Sequence, residues 1–432
     1  MNILKKLSIS ILKRILLILA ASAIGLILLY GVFSIPVKNM MPHAKASSET
    51  LCEEGLFPTK FTDDTRSKLD NFTDALMIQN AIHPSSGDTL KDVLLVNHMA
   101  YTDSMIPTDD LATETSTPLP KEGTSSEYMR YWHGYLLFLK PLLLIMDYSG
   151  IRILNLVLQV VLILLLLFSM KKRGLTRFLL PFLVSWLAVS PWVLPFSMQL
   201  STVYYIALIS TNILLLFWPR IRNNVYLFFC LLGLLTSYFD YLTWPLITLG
   251  LPLIFYILME ETDRIKTLKT ACSDTFLICI NWGVGYGCMW AMKWVITELI
   301  LHNGALTQAV GAAAYRSSAE SDIPGSSVNA LMVWKENISC TIYPLFVILF
   351  TVCFLILALQ IFRNRSGLLE RLKPRIIIPL IFTAVLPLLW YGVIKNHSFV
   401  HPYLTFRSLW ISYLSVLCLI ATLKEGVAKL SN

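Results

Sequence analysis

The chain has 432 residues, of which 56% are hydrophobic and only 14% are charged, and its mean hydropathy is +0.64. Because roughly a quarter of the residues in soluble domains are charged, this composition excludes an ordinary soluble domain. The net charge of +8 does not indicate nucleic-acid binding, since the basic residues are dispersed over many turns and form no single patch with interleaved aromatic residues.

Ten apolar segments approach the length of about 20 residues that a membrane span needs. They predict an all-α polytopic membrane protein with about ten transmembrane helices. The first span lies within residues 1–35, a large first loop within 36–150, and a bundle of about nine helices within 151–432. The predicted spans are 15–35, 151–170, 178–196, 202–219, 225–239, 241–259, 272–297, 338–362, 376–395 and 408–423.

The connections between these segments alternate between rich and poor in lysine and arginine. Since basic loops are retained in the cytoplasm, the alternation predicts that both termini are cytoplasmic and that the first loop is extracytoplasmic. The short outer connections contain only Arg316, Lys335, Lys395 and Arg407. Twenty of the 35 basic residues lie on the predicted cytoplasmic side: Lys5, Lys6, Lys13, Arg14, Lys171, Lys172, Arg173, Arg177, Arg220, Arg222, Arg264, Lys266, Lys269, Arg363, Arg365, Arg371, Lys373, Arg375, Lys424 and Lys429.

The first loop is polar over residues 36–134 and contains one clear helical pattern. Apolar side chains recur at helical spacing over residues 69–82, which predicts an amphipathic surface helix. An aromatic segment at 131–135 is typical of membrane interfaces. The eleven residues 136–146 that follow are apolar, but Lys140-Pro141 interrupts them and they are too few to cross a membrane. They predict a re-entrant or interfacial helix.

Two later outer connections are notable. Residues 298–337 contain Gly304, Gly311 and a run of small residues, which predicts a mobile lid. Residues 396–407 join two spans directly and contain two histidines and an arginine. No internal repeat is found, so the sequence does not favour the inverted halves of many secondary transporters.

Four ionisable residues lie at the outer ends of predicted apolar segments: Asp240, Lys293, Arg407 and Lys140. Burial of a charge near hydrocarbon is costly, so such residues are candidates for function. Each has a structural alternative. The two lysines can extend to the membrane surface, the aspartate can cap a helix, and the arginine can lie among lipid headgroups.

Together, the outer cations could supply the hydrogen-bond donors that a phosphate or diphosphate group needs. Carboxylates on the same side could remove a proton from an acceptor hydroxyl while the cations stabilise a departing phosphate. This combination predicts group transfer from a lipid phosphate. The candidate phosphate-binding residues are Arg407, Arg316, His397, His401, Lys140 and Lys293, and the first-loop carboxylates are Asp70, Asp74 and Glu127.

The sequence motifs of soluble enzymes are missing from this chain. It contains no Walker loop, no G-x-S-x-G, no H-E-x-x-H and no C-x-x-C. The eight cysteines show neither a disulfide framework nor the spacing of a metal site. The sequence therefore predicts no metal ligands, names no certain cofactor, and leaves a requirement for a divalent cation open.

Two short stretches resemble the GT-C superfamily of membrane glycosyltransferases, which use polyprenyl-phosphate sugars. Lys140-Pro141-Leu142-Leu143 resembles the K-P-P-L stretch that closes the first loop of aminoarabinose- and mannose-transferring members, although only one proline follows the lysine here. Asp70-Asn71-Phe72-Thr73-Asp74 resembles their acidic stretch before an Ala-rich helix, but it follows the first span at a greater distance. The order of first span, large outer loop and helical bundle also resembles that superfamily.

The resemblance implies an integral membrane glycosyltransferase of the plasma membrane. It implies transfer of a sugar from a polyprenyl-phosphate donor to a cell-envelope glycan or lipid acceptor at the outer face, with membrane lipid and no nucleic acid as partners. Transporter, lipid-linked glycan flippase and polymerase are the alternative functions.

Asp74 is the preferred catalytic base, because it lies on a predicted helix, and Glu127, Asp70 and Asp240 are the alternatives. We expect a further group of residues to contact the acceptor or the sugar. These are Arg130, Tyr131, Trp132 and His133.

Overall fold

The structure is a computed structural model that describes residues 3–101, 106–116, 122–263, 267–320, 327–363 and 372–423. The described structure is 78% helical, and seven of its helices are long and apolar enough to cross a membrane. The prediction of an all-α membrane protein is thereby confirmed. The seven candidate spans are Ile11–Phe33, Tyr148–Lys172, Met198–Leu216, Leu268–Leu301, Pro344–Arg363, Pro374–Val393 and Pro402–Leu423.

The described residues form α-helices, short 3₁₀ helices and one small sheet. The α-helices are α1 (Ile3–Phe33), α2 (Met41–Glu54), α3 (Asn71–Ile82), α4 (Thr89–Leu95), α5 (Pro107–Glu114), α6 (Leu136–Leu143), α7 (Tyr148–Lys172), α8 (Leu179–Trp186), α9 (Met198–Leu216), α10 (Trp218–Ile221), α11 (Val225–Phe239), α12 (Ile247–Asp263), α13 (Leu268–Leu301), α14 (Ala305–Ser317), α15 (Ala330–Ser339), α16 (Pro344–Arg363), α17 (Pro374–Val393), α18 (Lys395–Val400), α19 (Pro402–Thr405) and α20 (Trp410–Leu423). The 3₁₀ helices are Val37–Asn39, Thr65–Ser67, Thr176–Phe178, Leu187–Val189, Leu194–Phe196, Arg222–Asn224 and Phe406–Leu409. Strands β1 (His98–Ala100) and β2 (Thr124–Ser126) pair antiparallel, with Met99 opposite Ser125.

Three of the ten predicted spans correspond to shorter helices. An apolar helix over Thr176–Val189 replaces one span, and α11 and α12, with 15 and 17 residues, replace the other two. At 1.5 Å per residue, α11 and α12 are about 23 and 26 Å long, which is less than the hydrocarbon thickness of about 30 Å. The count of ten spans therefore stays a prediction. The three predicted spans concerned are 178–196, 225–239 and 241–259.

The two ends of the bundle differ in what they carry. α7 begins beside the first-loop helices, where the Tyr148 amide donates to Ser47 Oγ at 2.8 Å, and it ends at Lys172. At that far end Glu261 pairs with Arg177 and, at 2.8 Å, with Lys373. We call the end with α2 to α6 the loop face and the opposite end the basic face.

The helix predicted at residues 69–82 is present as α3, but it is buried instead of lying on the surface. Its polar side chains Asp74, Gln79 and Asn80 are almost completely buried. Gln79 Nε2 donates to the Met99 carbonyl at 2.8 Å, and Asn80 Nδ2 donates to the Val96 carbonyl at 3.2 Å. The prediction of a surface helix is wrong because the polar face of α3 packs against backbone carbonyls of the first loop.

The short segment after the aromatic residues agrees with the sequence prediction. α6 has eight residues, which correspond to about 12 Å, and Pro141 lies inside it. It is therefore too short to cross a membrane, as predicted. Phe138 and Ile145 are 61% and 68% exposed, so this part of the loop face presents apolar side chains.

α12 is enclosed by the rest of the bundle. Every residue from 240 to 260 is buried. Among the described elements, α12 contacts α9, α11, α13, α17 and α20. Its mainly apolar sequence, ITLGLPLIFYILMEETD, is that of a helix with hydrophobic residues on all sides, which agrees with a central position.

α11 and α13 approach until their backbones touch. A Cβ atom on Gly233 would lie 2.1 Å from the Trp282 carbonyl oxygen, and one on Gly285 would lie 2.1 Å from the Cys230 carbonyl oxygen. Small residues permit this close helix packing in membrane proteins, where van der Waals contact supplies much of the association energy. The two glycines therefore fix the distance between α11 and α13.

We expect Gly285→Ala to lower the free energy of unfolding by about 1–3 kcal/mol, because the added methyl group forces the two helices apart. Gly283→Ala and Gly287→Ala on the same helix are matched controls, since a Cβ there meets no atom within 4 Å. The controls should be neutral or stabilising by up to about 1 kcal/mol. Unfolding of the purified protein in detergent micelles measures the difference, and equal effects of all three substitutions would contradict the close contact.

Candidate functional site

A partly buried ion pair attaches the first loop to the bundle. Arg152 on α7 donates from both terminal nitrogens to the two carboxylate oxygens of Glu54 on α2, each at 2.7 Å. Burial opposes ionisation of Glu54, but the hydrogen bonds from Arg152 and Lys60 outweigh it and lower the pKa of Glu54 to about 2. The carboxylate is thus charged at neutral pH, and the pair holds α2 against α7.

Asp74, the base preferred from the sequence, lies beside the first residues of α9. Its carboxylate accepts hydrogen bonds from the amides of Met198 and Gln199, both at 3.0 Å, and from the hydroxyl of Tyr148. Its side chain is fully buried. A carboxylate is stabilised at a helix N-terminus, where amides are unpaired and the helix dipole is positive. These contacts give Asp74 a structural role at the start of α9.

Lys140 and Lys293, predicted to bind phosphate, instead contact the carboxyl ends of loop helices. Lys140 Nζ donates to the Ala81 carbonyl in the last turn of α3 at 2.6 Å. Lys293 Nζ donates to the Val93 and Leu94 carbonyls of α4 at 3.0 and 2.9 Å. Burial lowers the pKa of Lys140 to about 8. Cations at helix C-termini pair with unsatisfied carbonyls, so both lysines stabilise the first loop.

Arg407 is also occupied by backbone carbonyls. Its guanidinium donates to the carbonyls of Val189 and Arg66, at 3.2 and 3.1 Å, and to the carbonyl of Tyr403. Its side chain is fully buried. Because three of its five N–H groups are engaged and the whole side chain is buried, the geometry does not favour the predicted phosphate-binding role. Arg407 holds the start of α20 and the first loop together.

The aromatic segment of the first loop is mostly part of the packing. Trp132 Nε1 donates to the Met289 carbonyl at 2.7 Å. His133 is buried, with Nε2 2.6 Å from the Tyr128 carbonyl and Nδ1 2.6 Å from the Tyr241 hydroxyl. Glu127, one alternative base, is exposed. Trp132 and His133 therefore fix the backbone at the loop face and present no free polar atom to a sugar.

Three of the residues predicted to bind phosphate do come together at the loop face. Arg316 on α14 lies with Nη1 3.4 Å from His401 Nε2. The rings of His397 and His401 are 4.9 Å apart. Tyr403 continues the group, with its ring 5.9 Å from that of His401. We call Asp70, Arg316, His397, His401 and Tyr403 the His401 cluster.

Asp70 completes the His401 cluster from the start of α3. Its carboxylate accepts from the Thr73 amide at 3.0 Å and the Thr73 hydroxyl at 2.9 Å, and its charge interacts with the side chain of Tyr403. Burial, with a smaller contribution from the charge of Asp74, raises the pKa of Asp70 to about 7. Asp70 therefore exchanges a proton near neutral pH, as a general base does.

The tautomer of His397 follows from its surroundings. Its Nε2 is 2.6 Å from the Leu242 carbonyl, so Nε2 carries the proton and donates it. Its Nδ1 is buried and has no partner. Burial, followed by the charges of His401 and Arg316, lowers the pKa of His397 well below its usual range. His397 thus presents a lone pair and suits a hydroxyl group better than the phosphate oxygens that were predicted.

A strained turn and an aromatic group border the His401 cluster. Leu242, whose carbonyl orients His397, has a φ of +65°, a conformation that leucine rarely adopts and that is frequent at functional sites. Asp240 accepts from the Thr243 amide in the same turn, and burial raises its pKa to about 6. The ring of Tyr131 packs 5.1 Å from that of Tyr241. Arg130 lies 5.6 Å from the ring of Tyr128.

Sequence reasoning did not assign roles to Tyr128, Tyr241 or Tyr403. Each is one of 18 tyrosines, and no spacing pattern distinguishes it from a tyrosine of the packing. Only Tyr403 could have been noticed, because it lies two residues from His401 in the 396–407 connection. Their importance depends on contacts between segments that are far apart in the chain.

No protein-family model matches the chain, and no curated protein or solved structure gives a significant match. The resemblance of the Lys140-Pro141 and Asp70 to Asp74 stretches to membrane glycosyltransferases therefore stays a prediction. Among the residues that the structure describes, no three His, Cys, Asp or Glu side chains gather as metal ligands would.

We expect Asp74→Asn to lower the free energy of unfolding by about 1–3 kcal/mol, because an amide nitrogen cannot accept the hydrogen bonds that the carboxylate now accepts. Asp88→Asn is the matched control. Asp88 is an exposed N-cap of α4 that accepts from Leu90 and Lys91, and asparagine caps equally well. Thermal unfolding in detergent measures both variants. An unchanged unfolding temperature for Asp74→Asn would contradict the structural role of this carboxylate.

Proposed function

We propose that the chain is an integral membrane glycosyltransferase of GT-C type, which moves a sugar from a polyprenyl-phosphate donor to a hydroxyl of a cell-envelope acceptor. The proposal rests on the His401 cluster. There, two basic side chains, Arg316 and His401, are adjacent to an unpartnered imidazole nitrogen of His397 and to a carboxylate that titrates near pH 7.

The basic side chains suit the phosphate of the donor. Arg316 is half-buried at the end of α14 and donates to His401 Nε2. A phosphate at this position would accept from the guanidinium, and protonation of His401 would add a second donor. Arg130 interacts electrostatically with the same two tyrosines, Tyr128 and Tyr131, as Arg316 does. Positive charge is therefore concentrated around one region of the loop face.

The position of Arg316 suits a movable element. Gly304, the residue before α14, has a φ of +76°, a conformation that favours glycine, and α14 contacts α13 and α18. His302, the first residue after α13, also has a positive φ, of +48°. In the proposed function, these two positions are the hinge by which α14 carries Arg316 to the donor phosphate.

The proposed reaction has one bond-forming and one bond-breaking event. The acceptor oxygen bonds to the anomeric carbon, the bond from that carbon to the phosphate oxygen breaks, and the polyprenyl phosphate leaves with the electron pair. Asp70 takes the proton of the attacking hydroxyl, and His397 Nδ1 orients the acceptor by accepting a hydrogen bond from a neighbouring hydroxyl. Arg316 and His401 stabilise the negative charge on the leaving phosphate.

The proposal sets Asp70 in place of Asp74 as the base. Asp74 uses its oxygens to hold α9, whereas Asp70 interacts electrostatically with Tyr403 and so belongs to the His401 cluster. Asp240 is the remaining carboxylate alternative, because it interacts electrostatically with Tyr131. Its carboxylate accepts from Thr243, as that of Asp70 does from Thr73, but its neighbour Tyr131 lies outside the His401 cluster.

The proposed function places the loop face outside a plasma membrane, in agreement with the basic residues at the other end. Cys52 on α2 is exposed and tests this orientation. A membrane-impermeant maleimide should label Cys52 in intact cells, and Cys52→Ser should remove that signal. Because burial and then Asp109 raise the pKa of Cys52, the labelling is run at alkaline pH. Labelling of Cys52 only after permeabilisation would contradict the orientation.

Transfer of radiolabelled sugars from polyprenyl phosphates by the protein in proteoliposomes tests the reaction. We expect Asp70→Asn to lower kcat by about 10²- to 10⁴-fold with little change in donor affinity, since asparagine still caps α3 but accepts no proton. The wild-type rate should fall as pH drops below about 7, because Asp70 then becomes protonated. Arg316→Gln should instead raise the donor KM by at least about tenfold.

Lys335→Gln is the control for the loss of a positive charge, because Lys335 is exposed on α15 and lies outside the His401 cluster. Its kinetics should match the wild type. A normal rate and pH profile for Asp70→Asn would exclude Asp70 as the base. An unchanged donor KM for Arg316→Gln would exclude the phosphate site, and no transfer from any polyprenyl-phosphate sugar by the wild type would contradict the function itself.

A further inference from the structure

Four aromatic side chains form a row along one side of α13. Trp282, Tyr286, Trp290 and Trp294 follow one another at intervals of four residues, which places them on the same helix face. Successive ring centroids are 4.9, 5.1 and 5.9 Å apart. The row, which we call the aromatic ladder, extends over about 18 Å of helix.

The aromatic ladder has walls on two sides. Trp390 on α17 lies 6.4 Å from Trp282 and 6.2 Å from Tyr286, measured between ring centroids. Tyr131 of the first loop lies 5.9 Å from Trp290. Trp290 and Trp390 are only partly buried, so the middle of the ladder is not sealed by the packing.

The polar atoms of the aromatic ladder are hydrogen-bonded at its two ends but not in its middle. At the ends, Trp282 Nε1 donates to Thr248 at 3.0 Å, and Trp294 Nε1 donates to the Arg130 carbonyl at 2.9 Å. In the middle, the Tyr286 hydroxyl and Trp290 Nε1 are buried and have no partner. Buried Tyr and Trp polar groups usually find a hydrogen-bond partner, and each one left without costs about 1–3 kcal/mol.

The middle of the aromatic ladder also lies near the turn of Asp240, because Tyr131 contacts both Trp290 and Tyr241. Tyr131, which packs on Trp290, interacts electrostatically with Arg316 and Asp240. Tyr286 interacts electrostatically with Asp240 as well. A ligand on the ladder would therefore be next to the turn that orients His397.

We propose that the middle of the aromatic ladder binds the carbohydrate part of a substrate, with a sugar ring stacked on the partly buried Trp290 and a sugar hydroxyl at the hydroxyl of Tyr286. This inference rests on the proposed function and names the position of its sugar. Sugar hydroxyls would satisfy the Tyr286 hydroxyl and Trp290 Nε1, while the aromatic faces cover the apolar face of the ring. A lipid hydrocarbon chain would fit the aromatic faces but would leave both polar atoms without a partner.

The test is an array of microbial envelope oligosaccharides, probed with the full-length protein in lipid nanodiscs. We expect the wild type to bind at least one oligosaccharide above the signal of empty nanodiscs. Tyr286→Phe should weaken that binding about three- to tenfold through the loss of one hydrogen bond. Its unfolding temperature should be unchanged or higher, because the hydroxyl it lacks has no partner in the folded protein.

Tyr391→Phe on α17 is the matched control, since the Tyr391 hydroxyl donates to the Thr405 carbonyl at 2.8 Å. It should lower the unfolding temperature and leave oligosaccharide binding unchanged. The two tyrosine variants therefore move stability and binding in opposite ways, which separates a binding role from a structural one.

Three outcomes would overturn the carbohydrate assignment. The first is no oligosaccharide binding above empty nanodiscs, and the second is equal binding by the wild type and Tyr286→Phe. The third is labelling of Tyr286 or Trp290 by a photoreactive isoprenoid alcohol, with labelling increased in Tyr286→Phe, which would assign the ladder to a hydrocarbon chain. Because the array needs no turnover, failure of sugar transfer alone would contradict only the glycosyltransferase proposal.

Discussion

The pairing of buried charges with helix ends is the interaction on which the rest of the structure depends. The first loop and the bundle are joined where a charge of one meets an unpaired backbone group of the other: Asp74 at the start of α9, Lys293 at the end of α4, and Arg407 at the Arg66 carbonyl. Each contact provides hydrogen-bond partners both for a buried charged side chain and for backbone groups at the end of a helix or turn. The position of α3, and thus of Asp70, depends on these joints.

This arrangement explains why charge alone did not identify the site. Lys293 and Val93 are 200 residues apart in the chain, and Arg407 and Arg66 are 341 apart. A sequence shows that a charged residue lies in an apolar segment, but it does not show which carbonyl or amide will lie beside it. The energetic cost of burying a charge therefore identified Lys140, Lys293 and Arg407 as unusual residues. It did not distinguish a residue that binds a ligand from one that stabilises a helix end or a turn.

Features that depend on local composition were predicted well. The long apolar helices α1, α7 and α16 need only hydrophobic content, and α6 was recognised as short because Pro141 interrupts few apolar residues. α3 was recognised as a helix from its spacing, but its burial was missed, since partners for Gln79 and Asn80 come from later segments. In the candidate site, the histidines of the 396–407 connection, Arg316 and Asp70 were predicted and are found together, whereas Tyr403 was not predicted. The aromatic ladder has a regular spacing in the sequence, yet aromatic residues are so frequent in apolar helices that spacing alone does not indicate a ligand.

The enclosure of α12 has a consequence for how the protein is made. Three of its neighbours, α13, α17 and α20, follow it in the chain, so they are synthesised after it. When α12 leaves the ribosome, lipid or the insertion machinery occupies the positions that α13, α17 and α20 later fill. Its apolar residues on every side are stable in both settings, and the same sequence serves first as a lipid-exposed intermediate and then as the centre of the bundle. Assembly of the membrane bundle is therefore completed only when the carboxyl-terminal helices arrive and exclude lipid from α12.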